Sequence, residues 1–180
     1  MISQVASRYA QALFELADEN NETSEIYSEI VDLNDVISSN KNLYDVLRSP
    51  FITREEKREI VVELFDGKVK KDTKNFLLVL IDKDRTTELS SIVQAYKQML
   101  NDKLNIAEGK VFTAVPLSPE QISELEKKLS AKYNKNVKLE NRIDKSILGG
   151  VLVRIGNEEI DGTVKSRLND LSEVLSQVIS

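Results

Sequence analysis

The sequence predicts a mainly α protein in two parts: an N-terminal six-helix bundle over residues 1–104, followed by a small α/β C-terminal domain over residues 105–180. Two observations carry this reading. Through the first hundred residues, apolar side chains recur at three-four spacing, the period of a helix with one buried face. After Leu104 the spacing changes to two, the period of a half-buried strand. No proline-rich or glycine/serine linker intervenes, so the boundary falls at the change of period.

The helices follow in order. Val5, Tyr9, Ala12, Leu13 and Leu16 fall on one face of the first, with Ala6, Ala10 and Ala17 alongside as small residues that permit a close neighbour. Ile26, Ile30, Leu33 and Ile37 mark the second, which Ser38-Ser39-Asn40 interrupts. A short third helix over Asn42–Leu47 stops before Ser49-Pro50, because the residue before proline avoids helical geometry. Thr53-Arg54-Glu55-Glu56 is a capping box that opens a fourth helix, with Ile60, Val61 and Leu64 inward and Gly67 placed to end it. The run Phe76–Ile81 is short enough for a strand. It has no strand partner nearby, and Lys70–Lys74 lengthen it to a fifth helix that is apolar all round and so central. Leu89, Ile92, Val93, Tyr96, Met99, Leu100 and Leu104 form the stripe of the sixth.

Beyond Leu104, Lys110–Val115 reads as a strand bounded by Gly109 and Pro116. Ser118 is placed as an N-cap, Pro119 as the first helical residue and Gln121 as the capping-box partner; Leu117 and Ile122 are spaced as a hydrophobic staple. Ile122, Leu125 and Leu129 face inward on that helix. Val137, Leu139, Asn141 and Ile143 alternate as one strand, and Val151, Val153 and Ile155 as another, with Asn157-Glu158-Glu159 a polar turn. Gly162 reads as the turn into a closing helix capped by Asp161 or Thr163 and marked by Val164, Leu168, Leu171, Leu175 and Val178.

Composition excludes several kinds of chemistry. The chain of 180 residues has no cysteine and no histidine. Thiolate nucleophiles, thiolate metal sites and disulfides are therefore absent, and so is the side chain that most often serves as general base or metal ligand. The net charge of −5 offers no basic excess for nucleic acid. No apolar run approaches the roughly 20 residues needed to span a bilayer. The amphipathic start is not a signal peptide, and a cytoplasm-like compartment is expected.

Four of the six glycines lie between Arg142 and Leu168, near Lys165-Ser166, and invite a phosphate-loop reading. The spacing rejects it. A P-loop needs lysine directly after its second glycine, whereas Lys165 comes three residues after Gly162. A dinucleotide fingerprint follows its strand, whereas Gly149-Gly150 precedes one. These glycines read as bends or close backbone approaches. Asp82-Lys83-Asp84 begins like a calcium loop but lacks its glycine and closing glutamate. Nothing sets Ser118, Ser146 or Ser166 on a nucleophile elbow. Neither catalytic residues nor a cofactor or metal site is expected.

Surfaces remain. Residues 1–40 hold eight acidic residues against the single basic Arg8, which suits either a basic partner or a solvated helix face. The alanine-bearing first helix beside Phe76–Ile81 suits either a groove for an amphipathic partner helix or simply the bundle core. From the residues alone, the leading class is a two-domain adaptor, with a hydrolase or transferase using carboxylates and lysine as the competing class.

Three stretches resemble one family across the whole chain. Arg8–Ala17 (RYAQALFELA) is similar to the opening helix of the delta subunit of F-type ATP synthases, the oligomycin-sensitivity-conferring protein family. Leu47–Phe65 (LRSPFITREEKREIVVELF) resembles its Ser-Pro and charged-helix passage. The most specific is the C-terminal stretch, Ile147–Gly156 (ILGGVLVRIG) with Ile160–Leu168 (IDGTVKSRL). The resemblance implies a non-catalytic stator subunit in a hetero-oligomeric, proton- or sodium-translocating complex. It places the chain peripherally on the cytoplasmic face of the bacterial plasma membrane, without membrane insertion or nucleic-acid binding. It implies that the N-terminal domain takes the N-terminal helix of an alpha subunit between its first and fifth helices. The corresponding residues here are Tyr9, Ala12, Leu13, Phe76, Leu77 and Leu80. The C-terminal domain is expected to meet the C-terminus of the b-subunit stalk. A free-standing interaction adaptor is the alternative.

Overall fold

The computed structural model describes residues 3–169, which divide into two compact units between Leu100 and Asn101. The first unit is built from α1 (Gln4–Glu19), α2 (Thr23–Ser39), α3 (Lys41–Arg48), α4 (Arg54–Phe65), α5 (Lys71–Asp82) and α6 (Leu89–Lys103), the last of which ends within the second unit. The second continues with β1 (Ile106–Thr113), α7 (Pro119–Tyr133), β2 (Asn136–Ile143), β3 (Gly150–Ile155) and β4 (Glu158–Thr163). The chain is helical again over 164–169. The expected Leu171, Leu175 and Val178 lie outside the described residues.

Side-chain caps set several helix starts. Ser3 accepts from Ala6 N–H at 3.0 Å, Asn40 from Leu43 N–H at 3.2 Å, and Thr53 with Glu56 closes the expected capping box. Lys70 at the N-cap of α5 has no such side-chain bond. Instead Glu29 of α2 accepts from the Lys70 backbone N–H at 3.1 Å and from the Thr73 hydroxyl, and the Lys70 ammonium reaches Glu22 at 2.7 Å and Glu25. These carboxylates, Glu22 first, push the Lys70 ammonium up to about 12. Asn21, Asp84, Asn105 and Asn134 take left-handed backbone angles just past α1, α5, α6 and α7, where the short polar side chain tolerates what others resist.

The helical core centres on Tyr96 of α6, which is fully buried. Phe14 meets its ring edge-on at 5.2 Å and Tyr27 stacks on it at 6.1 Å, so one residue joins α1, α2 and α6. Its hydroxyl donates to the Thr23 carbonyl at 3.0 Å, and burial pushes the phenol far above its ordinary value. Tyr96→Phe removes this bond while the Thr23 carbonyl keeps its place in the α2 ladder, and an expected loss of about 1 kcal/mol follows. Urea unfolding reads it; an unchanged midpoint would deny this bond any net contribution.

Four expectations about helix faces are corrected. On α1 the buried residues are Ala6, Ala10, Leu13 and Ala17, while Leu16 is 41% exposed and Ala12 is exposed. The small side chains point inward because they let neighbouring helices approach closely. On α4 the inward line is Lys57, Val61 and Phe65; Ile60 is half-buried and Leu64 is 40% exposed. The fifth helix is not buried all round: Thr73, Leu77, Leu80 and Ile81 are, but Val79 is 44% exposed. Leu104 lies beyond α6 and is exposed.

The second unit is a four-stranded sheet in the order β2-β1-β3-β4, with β1 parallel to β2 and the other pairs antiparallel. Helix α7 opens with the expected Ser118/Gln121 capping box and Pro119. It covers the sheet through Leu125 and Leu129, over Val111, Val137 and Val153. It also protects the β2 edge. Glu126 accepts from Leu139 N–H at 2.8 Å and Ser130 from Val137 N–H at 2.9 Å, removing two donors that a foreign strand could use. Asn141 ties strands to loop, donating to the Val111 carbonyl at 3.0 Å and accepting from Leu117 N–H at 2.9 Å.

The glycine expectations are corrected in two places. Gly109 lies inside β1 and does not bound it; a Cβ there would meet Ile155 at 2.7 Å and Leu139 at 3.0 Å, one from each flanking strand. Gly162 lies within β4, which runs directly into the following helix, and Thr163 caps that helix by accepting from Ser166 N–H at 3.2 Å; the turn between β3 and β4 falls at Gly156-Asn157, so Glu158 and Glu159 of the expected polar turn belong to β4.

Candidate partner-docking faces

The inward set of α1 determines what is left outside. With Ala6, Ala10, Leu13 and Ala17 buried, the adjacent line Val5, Tyr9, Ala12 and Leu16 lies at the surface or partly covered. The same logic holds on α5. Leu77, Leu80 and Ile81 turn inward, so Phe76 and Val79 form an outer stripe one turn long. Tyr9 and Phe76 bring the stripes together, ring centroids 6.5 Å apart and edge-on at 70°. Ser3 steadies the start of α1, its hydroxyl donating to Glu88 at 2.7 Å.

Of the six residues singled out from the sequence, Tyr9, Ala12 and Phe76 reach this outer face. Leu13, Leu77 and Leu80 are 2%, 1% and 0% exposed and belong to the core beneath it. Leu16 and Val79 extend the face and were not among the six; each follows a member, Ala12 or Phe76, by four or three residues, and that spacing is the signal that finds them. The polar surroundings are acidic: Glu15, Asp18 and Glu19 follow on α1, with Glu15 accepting from Gln11 at 2.8 Å. An apolar strip beside carboxylates suits an amphipathic helix with basic flanks.

A second apolar face lies in the α/β unit. Sheet register brings the ends of β1 and β2 and the start of β3 together, since Thr113 pairs with both Ile143 and Val151, and Gly150 pairs with Thr163. Val115, Ile143, Leu148 and Val164 therefore gather at one end of the sheet, exposed by 67%, 55%, 82% and 44%. The unit's ionic contacts are surface pairs, such as Arg154 with Glu159 at 2.5 Å, and Tyr133 donates to Glu158 at 2.6 Å, which raises the Tyr133 phenol. Among the described residues no group of three or more acidic side chains gathers as a metal site, and no helix is long and apolar enough to cross a membrane.

Known proteins agree in one direction. A family model described as ATP synthase delta (OSCP) subunit matches residues 5–175. A protein named ATP synthase subunit delta from Clostridioides difficile (strain 630) is 51% identical, covering 100% of both chains. Another of that name from Clostridium beijerinckii is 36% identical, covering 97% of this chain and 98% of its own. A chain in the Toxoplasma gondii mitochondrial ATP synthase hexamer shares the fold at TM-score 0.66 and 21% identity, covering 99% of each. A chain in a Polytomella F-ATP synthase structure does so at TM-score 0.53 and 18% identity, over 57% of this chain and 92% of that one.

Proposed function

Since the chain belongs to the ATP synthase delta (OSCP) subunit family, and is thus a peripheral-stalk subunit of the hetero-oligomeric F-type ATP synthase, we propose how its two units serve that complex. The helical unit takes the N-terminal amphipathic helix of an alpha subunit along the α1–α5 face. The α/β unit takes the C-terminal end of the b-subunit stalk at the sheet end carrying Val115, Ile143 and Leu148. The complex lies at the bacterial plasma membrane with this chain on its cytoplasmic face, and the chain performs no chemistry of its own.

The observation that carries the first assignment is the Tyr9–Phe76 junction between two partly exposed apolar stripes, in a bundle whose core is otherwise closed. The mechanics follow from the physics of such a contact. Torque from the rotor drags on the catalytic head, and a static link must resist it while local geometry flexes. Apolar burial is non-directional and roughly proportional to area, so it survives small rotations that break a directional hydrogen bond. Acidic flanks on α1 add attraction to a basic partner and speed its capture without fixing its angle.

Calorimetric titration of the whole chain with a synthetic peptide from the alpha-subunit N-terminus tests this. Saturable one-to-one binding with a negative heat-capacity change is expected. Absence of binding by the folded chain would remove the groove assignment.

A further inference from the structure

A depression of about 430 Å³ lies where α3 ends, α4 begins and α5 turns into α6. Arg48, Arg54 and Lys57 contribute cationic side chains to its wall, Ser49, Thr86 and Thr87 contribute hydroxyls, and Asp84 is its single acidic residue. Thr53 and Arg54 belong to the first turn of α4, whose positive dipole end favours an anion. Glu55 and Glu56 of that turn do not line the depression, and Glu56 is held by Thr53 at 2.9 Å.

Lys57 is the group that needs explaining. It is only 5% exposed, and its ammonium makes no hydrogen bond or ion pair among the described residues. Asp84 feels its charge but is bonded to Arg54 at 2.5 Å, and that guanidinium is what chiefly holds the Asp84 carboxyl below its ordinary range. Arg48 lies over the Tyr44 ring at 4.9 Å, leaving guanidinium N–H groups beyond the one given to the Tyr44 hydroxyl. Three cations face one carboxylate, and the Lys57 nitrogen, whose stem is packed away, keeps its access to solvent through the depression. A cation held there by a buried stem, with no protein carboxylate of its own, is placed to take an anion from solution.

We propose that this depression binds a phosphate-type oxyanion, with Lys57 as its central ligand and Arg48 and Arg54 at the rim. The hydroxyl-rich wall matches an oxyanion with several acceptor oxygens. No aromatic residue lines the depression, so there is no platform for a nucleobase. Occupancy ties α3, the start of α4 and the α5–α6 turn to one ligand, stiffening a corner of the helical unit. This site is independent of the α1–α5 face and of what that face binds.

Thermal unfolding of the full chain with sodium pyrophosphate tests it. The midpoint is expected to rise and saturate, as mass action requires of a ligand bound by the folded state. Sodium chloride at equal ionic strength and sodium acetate are expected to leave it unchanged. Lys57→Met keeps an apolar stem in place and is expected to weaken the response by roughly tenfold or more in concentration. Arg48→Gln, at the exposed rim, is expected to weaken it less and supplies the reading should Lys57→Met not fold. Glycerol 3-phosphate compares sources: tighter ester binding assigns the phosphate to a larger molecule, tighter inorganic binding to a free one, and either supports the site. No saturable rise with either phosphate probe, an equal response in both variants, or an equal response to acetate overturns it.

Discussion

Gly150→Ala is expected to unfold the β3–β4 half of the sheet while leaving the helical unit intact. Two independent effects combine. Gly150 has φ +83°, a conformation that residues with a Cβ rarely adopt. A Cβ there would also stand 2.4 Å from the Gly162 carbonyl oxygen and 2.8 Å from the Thr163 Cα, which are backbone atoms of β4 and cannot swing aside. Relief requires β4 to move off β3, and Val153 on β3 is one of four buried residues in that unit's core cluster among the described residues. The combined cost is expected to exceed about 3 kcal/mol. Amide exchange checks it directly: β3 and β4 should lose protection, with α2 and α6 as internal references. Gly156→Ala is the control. Its φ is +58° but its Cβ would meet open space, so about 1–2 kcal/mol of backbone strain is all that is expected. Equal losses for the two variants would refute the close-approach explanation.

Ala12→Asp is expected to weaken capture of the alpha-subunit helix about a hundredfold without unfolding the bundle. Ala12 is exposed on α1, so its carboxylate stays hydrated in the free chain, and the cost to stability is helix propensity, about 0.5 kcal/mol. Under a docked helix the same carboxylate loses its water and gains no partner. A penalty of about 3 kcal/mol corresponds to that hundredfold loss. Val62→Asp separates position from charge, because Val62 is a 38% exposed apolar residue on α4, outside both stripes. It is expected to bind as wild type. Equal weakening by both variants would mean that added negative charge, and not the α1 face, governs the affinity.

Which parts of this were legible in the sequence follows from how strong each local signal is. The six helices were, from long three-four stripes in the first, second and sixth and from a proline stop, a capping box and an apolar run in the others; Ile26, Ile30, Leu33 and Ile37 are all buried as expected. The orientation of α1 was not. Its two apolar lines, 5-9-12-16 and 6-10-13-17, lie one residue apart, and hydrophobicity favours turning the larger side chains inward. Close helix packing selected the alanines instead, leaving Tyr9, Ala12 and Leu16 on the outer side of α1. Helix stops were read where serines or glycine announce them and missed where asparagine does. Asn105 in a left-handed conformation ends α6 and starts β1 at Ile106, four residues ahead of the expected start at Lys110. Gly109 and Gly162 looked like punctuation because sequence shows a missing side chain but not the strand that presses against it. Lys57 carries no signal in the sequence; its burial depends on the α3–α4 and α5–α6 turns meeting beside it, a tertiary fact with no local trace.

Gradient-driven ATP synthesis gives the most direct test of the static-link role. Membranes holding the rotor, the stalk and the catalytic head are stripped of this chain, and the chain is then returned. Synthesis should fail without the chain and recover with it, whereas Ala12→Asp should restore little at the same concentration. The isolated chain should hydrolyse no ATP, and hydrolysis by the isolated head should not depend on it. Full synthesis without the chain, with the head still driven by the gradient, or ATP turnover by the chain alone, would contradict a subunit whose work is to hold the head against the rotor.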